Sequence, residues 1–167
     1  MYNELTKVDI EKMEAELEWR IGTLRPQILE EVKFARSHGD LSENAEYHAA
    51  KHERGKNESR IRFLKNMIKT AVIIDSDSAC DEVGLFDTVT FKIIEDDEEE
   101  TVRIATTMRQ DALDNIVSKE SPIGKALFGK KVGDTVFIEV SKTYGYNAQI
   151  TKIIKGEDDT TLNIRGY

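Results

Sequence analysis

At 167 residues the chain has room for one ordinary domain or two small ones; its 39% hydrophobic residues suffice for a core, and its 34% charged residues demand a large exposed surface. The formal charge of −8 falls unevenly: residues 1–74 carry 13 Lys and Arg against 13 Asp and Glu, whereas residues 75–167 carry 11 against 19. Tight binding of bare duplex DNA needs surplus cations that this chain lacks, so any nucleic acid it serves is expected to be held by something else.

The opening Met1-Tyr2-Asn3-Glu4-Leu5 has no basic stretch followed by an apolar one, so no signal peptide is expected. A helical pattern follows. Met13, Leu17, Ile21, Leu24, Ile28, Val32 and Ala35 recur every three or four residues among charged neighbours, which lays an apolar stripe along one face. From Val8 to His38 such a helix extends on the order of 45 Å, far more than a small domain needs for its own core. Pro26 lies inside the pattern and removes a backbone donor, so a kink is expected near Thr23 to Arg25. Gly39 stops the helix. The stripe resumes with Ala45, Ala49, Ile61, Leu64, Ile68 and Ala71, and it is poor between Lys51 and Arg60, where loose packing is expected. The simplest reading is an antiparallel two-helix coiled coil over residues 1–74.

Asp75-Ser76-Asp77-Ser78 marks a linker (75–82) that also holds Cys80, the only cysteine; one cysteine excludes an intramolecular disulfide and fits a reducing cytoplasm. Beyond it the period changes to two. Val89, Phe91 and Ile93 alternate with polar residues, as do Val102 and Ile104, and later Val136, Ile138 and Val140. Ser121 before Pro122, with Gly129 at the end, predicts one short helix. Tyr144-Gly145-Tyr146-Asn147 reads as a turn before a last strand through Ile150 and Ile153. The second half (83–157) is therefore a small antiparallel sheet carrying one helix, followed by a tail (158–167), and the whole is α+β. Glu95 to Glu100 is a dense acidic run. No apolar stretch approaches the roughly 18 residues that cross a bilayer, so no membrane partner is expected.

The chemistry points to the bend between the two long helices, where Asp40, Glu43 and Glu46 crowd into seven positions. Asp-x-x-Glu before a helix is the spacing of a capping box, and capping is the reading that spacing alone favours. It is compatible with function, because a capped turn holds carboxylates at the far end of a rod. Oxygen donors of this kind suit Mg²⁺, commonly held by one or two carboxylates with substrate oxygens and water. Two acids alone bind it weakly, but they complete a site whose other ligands belong to a partner. Glu46 reads as an exposed helix acid, with a place facing the metal site as the alternative. Tyr47 suits either packing across the hairpin end or contact outward. Trp19 and Phe63 read as packing residues. His48 and His52 have the spacing of a zinc pair, but no third ligand lies nearby.

The run from Ala35 to Lys51, with Ser121-Pro122-Ile123-Gly124 and Gly129-Lys130-Lys131-Val132-Gly133-Asp134 later, resembles the bacterial Gre transcript cleavage factors, nearest the GreA type, over nearly the whole chain. The resemblance implies a coiled coil inserted through the secondary channel of RNA polymerase and an FKBP-like C-terminal domain docked on the channel rim. It implies that Asp40 and Glu43 help hold the second Mg²⁺ and position a water, speeding hydrolysis of backtracked RNA near its 3′ end. The cation is held only in the complex, and the factor is expected to be a cytoplasmic monomer and not an enzyme by itself. Ser121 and Pro122, with Glu120, match the segment that touches the rim. Arg36, Lys51 and Arg54 match a basic patch toward the extruded RNA, with solvated surface cations as the alternative. The chain departs from the family at Glu53-Arg54-Gly55-Lys56, in its acidic run and in its tail. A diverged paralogue that occupies the channel without stimulating cleavage is therefore an alternative. A peptidyl-prolyl isomerase is a weaker one, since aromatics are only 7% and the sole tryptophan lies in the coiled coil. A plain coiled-coil scaffold would have no use for the acidic bend.

Overall fold

The computed structural model describes residues 3–37, 44–75, 80–158 and 160–165. The chain divides into two compact units: Ile10–Ala71 form one, and the other joins the residues up to Asp9 with those from Val72 onward.

The first unit is a helical hairpin. Its elements are α1 (Lys7–Trp19), a π turn (Arg20–Leu24), α2 (Arg25–Ser37) and α3 (Ala45–Thr70). Pro26 lacks the N–H that would reach Gly22, and in a regular helix its ring would press on that carbonyl. The irregularity expected near Thr23 to Arg25 takes the form of the π turn, where the Arg25 N–H donates to the Arg20 carbonyl five residues back. Side-chain bonds Glu16–Arg60, Arg25–Glu58 and Ala35–Asn44 pair rising numbers with falling ones, so the helices run antiparallel. Toward the bend Ile28, Val32 and Ala50 form an apolar cluster, with Leu24 and Tyr47 against it.

Three expectations for this hairpin need correction, one of them in part. Ala45 and Ala49 are exposed, and Tyr47 and Ala50 turn inward instead. The phase of α3 is set by Ala50, Asn57, Ile61 and Leu64, which share one face, and Ala49 stands about 100° off it. The poor stretch between Lys51 and Arg60 is open over its first part, where residues 51–56 are exposed, and is closed by charge only at its end. Asn57 and Arg60 are 3% and 4% exposed. Glu16 accepts from Arg60 (Nε 2.9 Å, Nη2 2.8 Å) and from Arg20 (Nε 2.7 Å), and Arg20 donates to Asn57 Oδ1 at 3.1 Å. Arg25 grips Glu58 with two bonds of 2.7 Å. Planar guanidinium forks suit such bidentate pairing. Trp19, expected to pack, is 50% exposed, with the Arg20 guanidinium 5.9 Å from its ring.

The second unit is built on a five-stranded sheet in the order β5-β4-β3-β7-β6. Its strands are β3 (Thr88–Ile93), β4 (Glu99–Ala105), β5 (Ile116–Ser118), β6 (Thr135–Ser141) and β7 (Tyr144–Ile154). A separate pair, β1 (Glu4–Leu5) and β2 (Val72–Ile73), runs parallel. Val89, Phe91 and Ile93 point into the core with Ile104, Ile138 and Ile150, as their alternation predicted. Helix α4 (Pro122–Leu127) adds the fully buried Leu127. The chain doubles back through positive φ at Gly129 (73°) and Gly133 (94°), a region open to glycine.

Here too the structure differs from expectation. The sheet is mixed, because β5 pairs parallel with β4 after a crossover through a 3₁₀ turn (Thr107–Arg109). Tyr144 to Asn147 is not a turn but the start of β7, paired with β6 from Ser141↔Tyr144 to Phe137↔Asn147. Gly145 fits there because an added Cβ would lie 2.4 Å from the Phe137 ring. Val140 is 48% exposed, since the register shifts between Glu139 and Ser141 and breaks the alternation.

The first turn of α1 is counted with this unit. Asp9 N–H donates to Thr6 Oγ1 (3.3 Å) and Thr6 N–H to Asp9 Oδ2 (3.0 Å), a reciprocal cap. The fully buried Arg109 donates to Asp9 Oδ1 and to Thr6 Oγ1 (3.2 Å), with its guanidinium 5.0 Å from the Phe86 ring. Two carboxylates offset the burial of this cation, Asp158 being the second.

Candidate functional site

The candidate residues fall in two groups, one in each unit. At the bend, Asp40 and Glu43 lie outside the described residues, so the structure is described on either side of them. Helix α2 ends at Ser37 and α3 begins at Ala45. The residue that caps α3 is Asn44: its Oδ1 accepts from Tyr47 N–H at 2.9 Å, and its carbonyl from His48 N–H at 3.2 Å. Its Nδ2 donates to the Ala35 carbonyl at 2.8 Å, joining the end of one helix to the start of the next. Sequence reading looked for the cap at Asp40 and Glu43 and passed over Asn44. The signal was present, because asparagine is among the preferred N-cap residues.

The three cations assigned to a basic patch, Arg36, Lys51 and Arg54, are all exposed. Lys51 and Arg54 are three apart on α3 and Arg36 is in the last turn of α2, with no contact recorded among them. Lys51 borders a groove between the helices that Arg20, His48, Lys56 and Arg62 also line, whereas Arg36 and Arg54 do not. His52 Nδ1 lies 3.9 Å from Glu53 Oε1, and among the described residues no cluster of His, Cys, Asp and Glu could hold a metal.

In the second unit Glu120, Ser121 and Pro122 are brought together at the start of α4. Ser121 caps it, accepting from Gly124 N–H at 3.0 Å, and Pro122 fills the first turn where no N–H is needed. Glu120 lies 3.7 Å from Lys125 Nζ. The residue beneath them, missed by sequence reading, is Ser118. Its Oγ accepts from Glu120 N–H (3.1 Å) and shares a hydrogen bond with Thr107 Oγ1 (3.0 Å), and its carbonyl accepts from Ser121 N–H (2.9 Å). A Cβ on Gly124 would stand 2.1 Å from that carbonyl, so only glycine lets α4 sit this close. Lys119 forms an ion pair with Glu4, whose carboxyl is held below its ordinary value chiefly by that hydrogen bond.

A two-helix hairpin with two acids in the sequence between its helices, followed by a mixed sheet unit with a capped Ser-Pro helix start, is the arrangement that the comparisons with known proteins address. The transcription elongation factor N-terminal family matches residues 3–73, and the GreA/GreB C-terminal family matches residues 77–155. The chain belongs to the GreA/GreB family of transcription elongation factors. It is 45% identical over 146 residues to the transcription elongation factor GreA of Leuconostoc mesenteroides, covering 87% of this chain and 91% of that one. It is 46% identical over 152 residues to GreA of Streptococcus pneumoniae, covering 90% and 94%. These relatives favour the GreA type over the diverged paralogue. Among solved structures, GreA factor homolog 1 of Thermus thermophilus is similar at 24% identity and a TM-score of 0.42, covering 91% and 98%, a likeness too loose to carry an argument. No helix among the described residues is long and apolar enough to cross a membrane.

Proposed function

We propose that this protein binds RNA polymerase through its secondary channel and stimulates Mg²⁺-dependent cleavage of the 3′ end of backtracked nascent RNA, rescuing arrested complexes. The observation that carries this reading is the acidic motif at the bend of a hairpin belonging to the GreA/GreB family, with both halves matched in order. Asp40 and Glu43, in the sequence between α2 and α3, are two hard oxygen donors, which suit Mg²⁺ and would make only part of a coordination sphere. A cation held there, its coordination completed only in the complex, would supply charge stabilisation for the attacking and leaving oxygens. Asp40 and Glu43 orient the attacking water as hydrogen-bond acceptors. Glu120, Ser121 and Pro122 touch the channel rim, and Arg36, Lys51 and Arg54 face the extruded RNA. The protein acts as a cytoplasmic monomer and leaves the chemistry to the polymerase.

The test is a polymerase complex halted and backtracked on a template, given Mg²⁺ and this protein. Short 3′ RNA fragments should appear, and both Asp40→Asn and Glu43→Gln should lose that release while still competing with the parent for polymerase. Variants that cleave as fast as the parent would refute the metal role. A parent that blocks nucleotide entry without cleavage would refute the function.

A further inference from the structure

The segment after β7 lies past residue 155, where the family match ends, and the function above makes no use of it. It is nevertheless fixed to its unit at four successive points. Gly156 passes so close to Phe86 that an added Cβ would lie 2.0 Å from the Phe86 carbonyl, and its N–H donates to Asp87 Oδ1 at 3.0 Å. Asp158 Oδ1 pairs with Arg109 Nη1 at 2.7 Å. Leu162 packs against the main apolar core. Arg165 N–H donates to the Met108 carbonyl at 2.7 Å.

Met108 and Arg109 finish the 3₁₀ turn that begins at Thr107, and Thr107 Oγ1 bonds Ser118 Oγ. Ser118 in turn receives the N–H groups of Glu120 and Ser121. Ser121 also lines, with Arg109, Ser118, Leu162 and Asn163, the cavity beside this segment. A hydrogen-bonded path thus runs from the tail to the start of α4. Strand β5, which leads into that start, has three residues and sits at the sheet edge, where local opening needs little free energy.

We propose that residues 156–158 and 160–165 form a strap that holds Glu120, Ser121 and Pro122 in the shape their partner binds, with Asp158 and Leu162 as positioning residues. The inference rests on the assignment of those three residues to polymerase contact. A segment ordered before binding loses less conformational freedom when it docks. The strap therefore acts on affinity and leaves the cleavage step alone.

Two variants test it: a chain ending after Gly156, and the full chain with Leu162→Asp, with Leu162→Met as the conservative control. Amide exchange at Glu120 and Ser121 in the free protein should quicken about tenfold in both variants, as local order is lost. The concentration giving half-maximal cleavage should rise by about the same factor. The rate at saturation should stay within about twofold of the parent, and Leu162→Met should match the parent. Unchanged exchange at both amides, or an unchanged half-maximal concentration, overturns the proposal. So does loss of protection at Phe91 and Ile150 in both variants, which would make the segment a part of the core. If the parent neither binds nor cleaves with polymerase, the functional assignment fails, and with it the strap's purpose. The exchange result then still decides whether the tail orders the segment.

Discussion

Asn44 makes two side-chain bonds in opposite directions, and Asn44→Ala removes both. The cap to Tyr47 N–H is worth about 1 kcal/mol by analogy with other N-caps. The bond from Nδ2 to the Ala35 carbonyl adds about 1 kcal/mol, the net value of an amide–carbonyl hydrogen bond. The end of the hairpin should therefore open more easily by about 2 kcal/mol, or roughly thirtyfold in an equilibrium constant. Amide exchange at Tyr47 and His48 reads this directly, with Ile61 and Leu64 as internal controls that should not change. Asn44→Ser separates the two contributions, since a serine caps the helix and does not reach the carbonyl; it should cost about half as much. In the cleavage assay Asn44→Ala should lower the rate at saturation and leave competition for polymerase intact. If Ala and Ser behave alike, or exchange at Tyr47 rises less than about threefold, the link from Asn44 to Ala35 does not hold the bend.

Glu16→Gln deprives the buried Arg60 of its carboxylate and should destabilise the hairpin by about 3 kcal/mol, read as a lowered urea midpoint; a loss under about 1 would show that water compensates. Burial pushes the Glu16 carboxyl up, but hydrogen bonds from Arg60 and Arg20 outweigh it and leave the group below its ordinary 4.5. A depressed folded value contributes stability above 4.5 that disappears as pH falls through the lower value, so the melting temperature should drop below pH 4.5, and less steeply in Glu16→Gln. Two glycines should respond in opposite senses to alanine. Gly124→Ala drives a Cβ onto the Ser118 carbonyl and should cost about 2 kcal/mol or more in thermal unfolding. Gly55→Ala, in open space within α3, should stabilise by about 1 kcal/mol.

What the sequence disclosed follows from what periodicity measures. Val89, Phe91 and Ile93 announced β3, and Ser121-Pro122 announced the start of α4, because each signal is local. Strands β1 and β5 are two and three residues long, too short for alternation to register. The polar middle of the hairpin read as a gap in the stripe, since counting apolar residues cannot distinguish an absent contact from a charged one. Arg109 was invisible for a different reason. Its burial depends on Asp9, 100 positions away, and no window along the chain holds both. Ser118 carries no motif, and its role appears only once Thr107, Glu120 and Ser121 are in contact with it. The paired acids Asp40 and Glu43 were plain in the sequence and lie outside the described residues.

The charged layer in the hairpin has a mechanical consequence. Aliphatic side chains are interchangeable partners, so two helices joined by them alone could slide past each other by a turn, about 5.4 Å, and find new contacts of similar quality. A guanidinium fork accepts no such substitute, and Arg60 on Glu16 and Arg25 on Glu58 each match at one alignment only. The two helices are therefore locked in one alignment, and two arginines far from the bend hold it.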